Sequence, residues 1–190
     1  MKERGGDPRA LNVLAFCKDS HRLSGVWPLS GMARLGASFF ATTDAGVDWE
    51  ASGEHRAVSG AEPQISLVLR AQALVPLQCQ RCLGSMMETL VVERRFVFVR
   101  SEEEALRLDE DSEDDVLSLP ARLDLHELLE DELILALPIV PRHPDACPQP
   151  LPGSAELTPG LSDGATEAGF TRPHAFAALA ALKRGKPGSD

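Results

Sequence analysis

The sequence predicts an α+β domain, an antiparallel β-meander or small open barrel with one acidic amphipathic helix, followed by a tethered C-terminal helix. Three observations predict it. Apolar and polar residues alternate over long stretches between Val47 and Arg100, the two-residue period of half-buried strands. A leucine stripe at helical spacing then runs from Leu125 to Leu137, as one buried helix face requires. Past Cys147 the periodicity gives way to Pro, Gly, Ser and Thr, a composition without a packed core. The chain has 190 residues, which suits one core. The expected organisation is a domain over 1–147, a disordered linker over 148–171 and a helical tail over 172–190.

At the N-terminus, MKERGGDPRA lacks the apolar stretch of a secretory signal, and no apolar run long enough to span a bilayer follows, so the expected location is the cytoplasm. In VDWEASGEHRAVSG (Val47 to Gly60), Val47, Trp49, Ala51 and Ala57 oppose Asp48, Glu50, Glu54 and Arg56, a strand pattern. Ile65, Leu67, Leu69, Ala71, Ala73, Val75 and Leu77 share one face of a longer strand, which delivers Cys79 at its end. After a turn the chain returns as METLVVERRFVFVR (Met87 to Arg100), rich in β-branched and aromatic residues. SEEEALRLDEDSEDD (Ser101 to Asp115) is acidic with almost no apolar content and reads as a mobile loop. Its charge is ordinary solvation or, alternatively, a mimic of phosphate backbone offered to a basic protein. Asp124 and Glu127 have capping-box spacing at the start of the leucine-striped helix, which Pro138 ends. Leu125, Leu128, Leu129, Leu133 and Leu137 form its buried stripe, leaving Glu127, Glu130, Asp131 and Glu132 on or beside the wet face. In AFAALAALKRG (Ala175 to Gly185), Phe176, Leu179 and Leu182 share a helical face, which could dock on the domain or on a partner.

The net charge of -10 opposes unaided binding to a polyphosphate, which needs a basic face. Tyr is absent and Phe and Trp are sparse, so base stacking has few platforms. Arg70, Arg81, Arg94 and Arg95 flank the central turn and Lys183, Arg184 and Lys186 crowd the tail. They form a local basic patch or an ordinary solvated surface. No nucleophile elbow or phosphate-cradling loop occurs and the five histidines are scattered, so the chain is expected not to be an enzyme. Consecutive carboxylates at Glu130, Asp131 and Glu132 raise magnesium-dependent phosphodiester cleavage as a minor alternative. They diverge around a helix, however, and have no second acidic cluster.

The central turn is QCQRCLG, with Cys79 and Cys82 in a C-x2-C knuckle, and His143 and Cys147 follow far downstream. A C-x2-C turn can aim both sulfurs at one ion, and the His-x3-Cys pair can complete a tetrahedral site for structural zinc. Two other readings stay open. One is thiol and disulfide exchange, against which stands the position of the knuckle between strands instead of at a helix start. The other is a pair of reduced cysteines packed in a turn. Cys17 stands apart as a buried small hydrophobe.

Four segments in order carry a family resemblance: DPRAL (Asp7 to Leu11) with GVWPLSGMARL (Gly25 to Leu35), the CQRC knuckle, DLHELLEDELILALPIVPRH (Asp124 to His143) and RPHAFAALAALKRGKP (Arg172 to Pro187). They resemble the YceD family, the large ribosomal RNA subunit accumulation proteins, in its proteobacterial branch. In the last segment His174 makes the pattern read PHAFAAL where the family has PFAVL. The resemblance implies a ribosome biogenesis factor acting in synthesis, processing or stability of large-subunit ribosomal RNA, and brings no catalytic residues. The expected partner is that RNA or its precursor, reached through a ribosomal protein or an RNA-processing factor, with Asp124, Glu127, Glu130, Asp131 and Glu132 as the partner-binding residues. A zinc-stabilised module that touches the transcript directly is the alternative.

Overall fold

A computed structural model describes residues 6–57 and 63–148. They belong to one compact unit, Met1–Pro152. The expected linker, but for Pro148, and the expected tail lie outside the described residues. The elements are α1 (Val13–Lys18), β1 (Arg22–Pro28), a 3-10 turn (Leu29–Gly31), α2 (Ala33–Gly36), β2 (Gly46–Arg56), β3 (Gln64–Gln78), β4 (Ser85–Val99), α3 (Glu102–Asp109), β5 (Asp115–Ser118) and α4 (Leu125–Leu135). The strands form an open sheet in sequence order, β1 to β5. The first four are antiparallel neighbours and β5 is parallel to β4. The α+β expectation with an open sheet therefore holds.

The alternation seen in the sequence places the core. Leu67, Leu69, Ala71, Ala73, Val75 and Leu77 of β3 are buried, as are Met86, Leu90, Val92, Phe96 and Phe98 of β4. This inner face is covered by Phe16 of α1, by Leu29, Met32 and Leu35 around α2, and by Leu125, Leu129 and Leu133 of α4, all almost fully buried. Fully burying one such side chain contributes about 1.5–3 kcal/mol. Helix α1, capped by Asn12 on the Ala15 amide, lies so close to β2 that a Cβ on Gly53 would stand 2.8 Å from the Cys17 Cα and the Phe16 carbonyl oxygen. The outer face mixes charged residues with exposed Val26, Leu74, Met87 and Val91. There Arg70 lies opposite both Glu50 and Glu93 in register and forms ion pairs with each.

The acidic stretch 101–115 corrects the sequence reading, because it is structured over most of its length. Ser101 caps α3 by accepting from the Glu104 amide, and Glu102, Glu103 and Glu104 fill the first turn, where the helix dipole favours negative charge. Ala105 packs with Val97 and Val116 in a small second core on the outer face. The same contact buries Val97 and Val116 of β4 and β5.

The N-terminal DPRAL segment is tied to the start of α4. Leu11 and Leu123 exchange backbone hydrogen bonds, and the Leu125 amide donates to the Pro8 carbonyl. Nearby, His126 is 6% exposed and meets Trp27 edge-on at 5.0 Å, while Trp27 stacks on Trp49 at 4.2 Å. Burial, aided by the charge of Arg9, pushes the His126 pKa below the ordinary 6.5. The unfolded chain therefore takes up a proton that the folded one refuses, so this stability is complete above about pH 6.5 and is lost as pH falls towards the folded-state pKa. Urea midpoints measured across that range should decline more steeply for the native chain than for His126→Gln. Equal slopes would remove His126 as a cause.

Candidate metal centre

The knuckle is built by the turn between β3 and β4. The Cys79 amide donates to the Gly84 carbonyl and the Leu83 amide to the Cys79 carbonyl, while the Arg81 amide donates to Cys79 Sγ at 3.4 Å. Leu83 adopts a positive φ of 59°, the left-handed conformation that turns the chain back into β4. The Gln80 amide donates to the Pro141 carbonyl at 2.8 Å, pinning the knuckle to the segment after α4. Pro138 stands three residues past the last helical residue, Leu135, and the chain from there carries His143 and Cys147 back to the knuckle.

The one coordinating atom that each of Cys79, Cys82, His143 and Cys147 offers lies within 4.8 Å of the other three. Cys79 Sγ is 3.8 Å from Cys147 Sγ and Cys82 Sγ is 3.7 Å from His143 Nδ1. A tetrahedron with thiolate arms of about 2.3 Å has edges of about 3.8 Å. The donor set, three soft sulfurs and one imidazole, suits a tetrahedral metal in a closed structural site. Cys79 and Cys82 are buried, and Cys147 and His143 are partly exposed.

The electrostatics favour thiolate at two positions. Burial opposes ionisation of Cys79, but backbone hydrogen bonds from Cys82, His143 and Arg81 outweigh it and lower its pKa to about 5. Cys147 is also lowered, chiefly by the Arg81 side chain, whose Nε lies 3.0 Å from the sulfur. A backbone hydrogen bond from Gly84 favours ionised Cys82, yet burial and the neighbouring Cys147 and Cys79 sulfurs raise its pKa. His143 is raised by its bonds to Cys147 and Cys79. Arg81 also donates to the Asp145 carbonyl. Its guanidinium thus offsets part of the negative charge carried by the Cys79 and Cys147 sulfurs. The sequence marks Arg81 only as one of several flanking arginines, because nothing in its spacing announces a contact with Cys147.

The helix α4 acids separate into distinct roles. Asp124 caps the helix through the His126 and Glu127 amides, while no bond from Glu127 back to the Asp124 amide occurs among the described residues. Glu127 is exposed. Glu130 and Glu132, expected on or beside the wet face, are each 7% exposed. The Glu130 carboxylate accepts from the Arg34 and Leu35 amides at 2.7 and 3.1 Å, and from the Arg34 guanidinium. The Glu132 side chain pairs with Arg94 at 3.2 Å, and burial, only partly countered by Arg94, raises its pKa. Asp131 takes the other arm of Arg34. The three consecutive carboxylates are spent on two arginines, Glu130 and Asp131 on Arg34 and Glu132 on Arg94.

The flanking arginines are likewise engaged, Arg70 with Glu93 and Arg95 with Glu54. No helix among the described residues is long and apolar enough to cross a membrane.

Residues 67–183 match a protein-family model described as large ribosomal RNA subunit accumulation protein YceD. That range holds all four converging ligands and α4. Among six curated proteins that match, the large ribosomal RNA subunit accumulation protein YceD of Haemophilus influenzae is 38% identical over 84 residues. The aligned part is 43% of this chain and 48% of that protein, so the chain matches about half the length of this relative. No solved structure matches the chain.

Proposed function

Since the chain belongs to the YceD family of large ribosomal RNA subunit accumulation proteins, we propose that it is a cytoplasmic, non-enzymatic ribosome biogenesis factor that promotes accumulation of large-subunit ribosomal RNA through a protein or ribonucleoprotein partner. The observation that carries this is the family match across the knuckle and α4. Zinc bound by Cys79, Cys82, His143 and Cys147 holds the β3–β4 turn to the post-helix segment. A filled four-ligand site has no open position for hydrolysis, so the ion supplies stability.

Two features favour a protein partner over direct contact with the transcript. Arg70, Arg94 and Arg95 already pair with acids of the same chain, and the overall charge is -10. A nuclease reading finds little support in carboxylates already paired with Arg34 and Arg94. The acids left to a basic partner are those in the first turn of α3 and, on the opposite side of the sheet, Glu127 on α4. Asp124, Glu130, Asp131 and Glu132 contribute by holding that helix in place.

The test is the ratio of mature large-subunit to small-subunit ribosomal RNA in cells lacking this protein, complemented at matched expression by wild type or by Cys79→Ser with Cys82→Ser. The expected result is a selective large-subunit deficit that wild type restores and the double variant does not. An unchanged ratio in the deletion strain would sink the proposed role. Salt-dependent binding of purified protein to large-subunit RNA fragments would replace the protein partner by direct contact.

A further inference from the structure

Strand β4 keeps a long open edge. It pairs with β3 from Ser85 to Phe98, but β5 covers its other side only from Phe96 to Val99. Among the described residues no strand lies beside Ser85 to Arg95. The Leu119 amide donates to the Val99 carbonyl across β5, so Val99 turns its backbone groups away from β3. Because the β3–β4 register is one to one without a bulge, Met87, Thr89, Val91, Glu93 and Arg95 turn theirs the same way. Unpaired edges of this kind are templates for another strand. The opposite edge, β1, is blunted, being seven residues long with Gly25 inside it and Pro28 at its end. The β4 edge carries no Pro, Gly or Lys, and Met87 and Val91 are 53% and 66% exposed on its outer face.

We propose that a second copy of this chain pairs antiparallel with this edge about a two-fold axis at Val91, joining the two five-stranded sheets into one. The strand is self-complementary in that register. Val91 meets its own equivalent, Leu90 lies opposite the partner's Val92, and Glu88 lies opposite the partner's Arg94, whose side chain is 53% exposed beside Glu132. Moving the axis one residue either way sets both charges against apolar residues, Glu88 against Val92 or Phe96 and Arg94 against Met86 or Leu90. Opposite charges facing each other across antiparallel strands are favourable and like charges are not, so charge selects the Val91 axis. Backbone hydrogen bonds along the edge supply the affinity.

The test is sedimentation of the full chain in reducing buffer from about 1 to 100 µM, a range that brackets ordinary dimer affinities. The expected species has twice the 20.5 kDa chain mass. Val91→Pro removes an N–H that the single chain leaves unpaired, and Val91→Lys puts two like charges on the axis. Both should weaken association at least about a hundredfold, and Glu88→Arg by about tenfold. Val91→Lys changes only an exposed side chain and stands if the proline variant unfolds. Amide exchange at Thr89, Val91 and Glu93 should slow as wild-type concentration rises. A wild type that stays single across the range, including one that takes up an extended segment of another protein instead, overturns the proposal. So does a Val91→Lys variant that remains dimeric.

Discussion

Purified native chain is expected to contain one zinc ion per molecule, and chain carrying Cys79→Ser with Cys82→Ser to contain none and to melt about 10 °C lower. The arithmetic follows from linkage. An ion present at about 100 to 1,000 times its dissociation constant stabilises the folded state by about 2.7–4.1 kcal/mol. For a chain of this size each kcal/mol moves the midpoint by about 2–4 °C. The effect is large because four ligands from two distant segments converge on one point and because three clustered sulfurs repel one another once ionised. Metal analysis with thermal melts checks it. A chelator should lower the native midpoint to that of the variant, and added zinc should restore only the native chain. Native protein that purifies without metal and ignores the chelator would leave the four side chains as a reduced cluster.

Glu130→Ala is expected to destabilise the fold by about 2–4 kcal/mol, against about 0.5 kcal/mol or less for Glu127→Ala three residues earlier on the same helix. Glu130 serves as the acceptor for the first amides of the four-residue α2 and as a charge partner for Arg34. Its removal orphans the buried Leu35 N–H and the part-buried Arg34 N–H, while the Arg34 side chain, half exposed, can turn to water. Glu127 is exposed and holds no comparable bond among the described residues. Urea titration of the two variants decides the matter, and similar midpoints would show that α2 does not depend on the carboxylate.

Much of this architecture was legible in the sequence because the relevant signals are local. The buried faces of β3 and β4 follow directly from residue alternation, and the start of α4 follows from Asp124, while its end at Leu135 falls three residues before Pro138. The convergence of Cys79, Cys82, His143 and Cys147 was readable from ligand type and knuckle spacing. The failures are equally physical. Helix α3 buries Ala105 alone, so it leaves no apolar stripe, and its acids look like solvation when three of them complement a helix start. Strand β5 has four residues and pairs in parallel, and nothing in so short a run announces a partner. Glu130 and Glu132 were placed by helical geometry on or beside the wet face, but what buries them is Arg34 and Arg94, some 96 and 38 residues away. A carboxylate's exposure depends on where its cation sits in space, and one sequence carries no record of that distance.

The position of α4 in the chain also sets a timetable for synthesis. The first four strands form a meander whose inner face is sealed only when Leu125, Leu129 and Leu133 arrive. At about 5–20 residues per second, translation from Val99 to Leu135 takes roughly 2–7 s. Throughout that interval the part of the sheet not covered by α1 and α2 offers an apolar surface to chaperones or to neighbouring chains. His143 and Cys147 emerge later still. Any ion held there therefore closes a domain already assembled, acting as a final clasp and not as the nucleus around which the sheet folds.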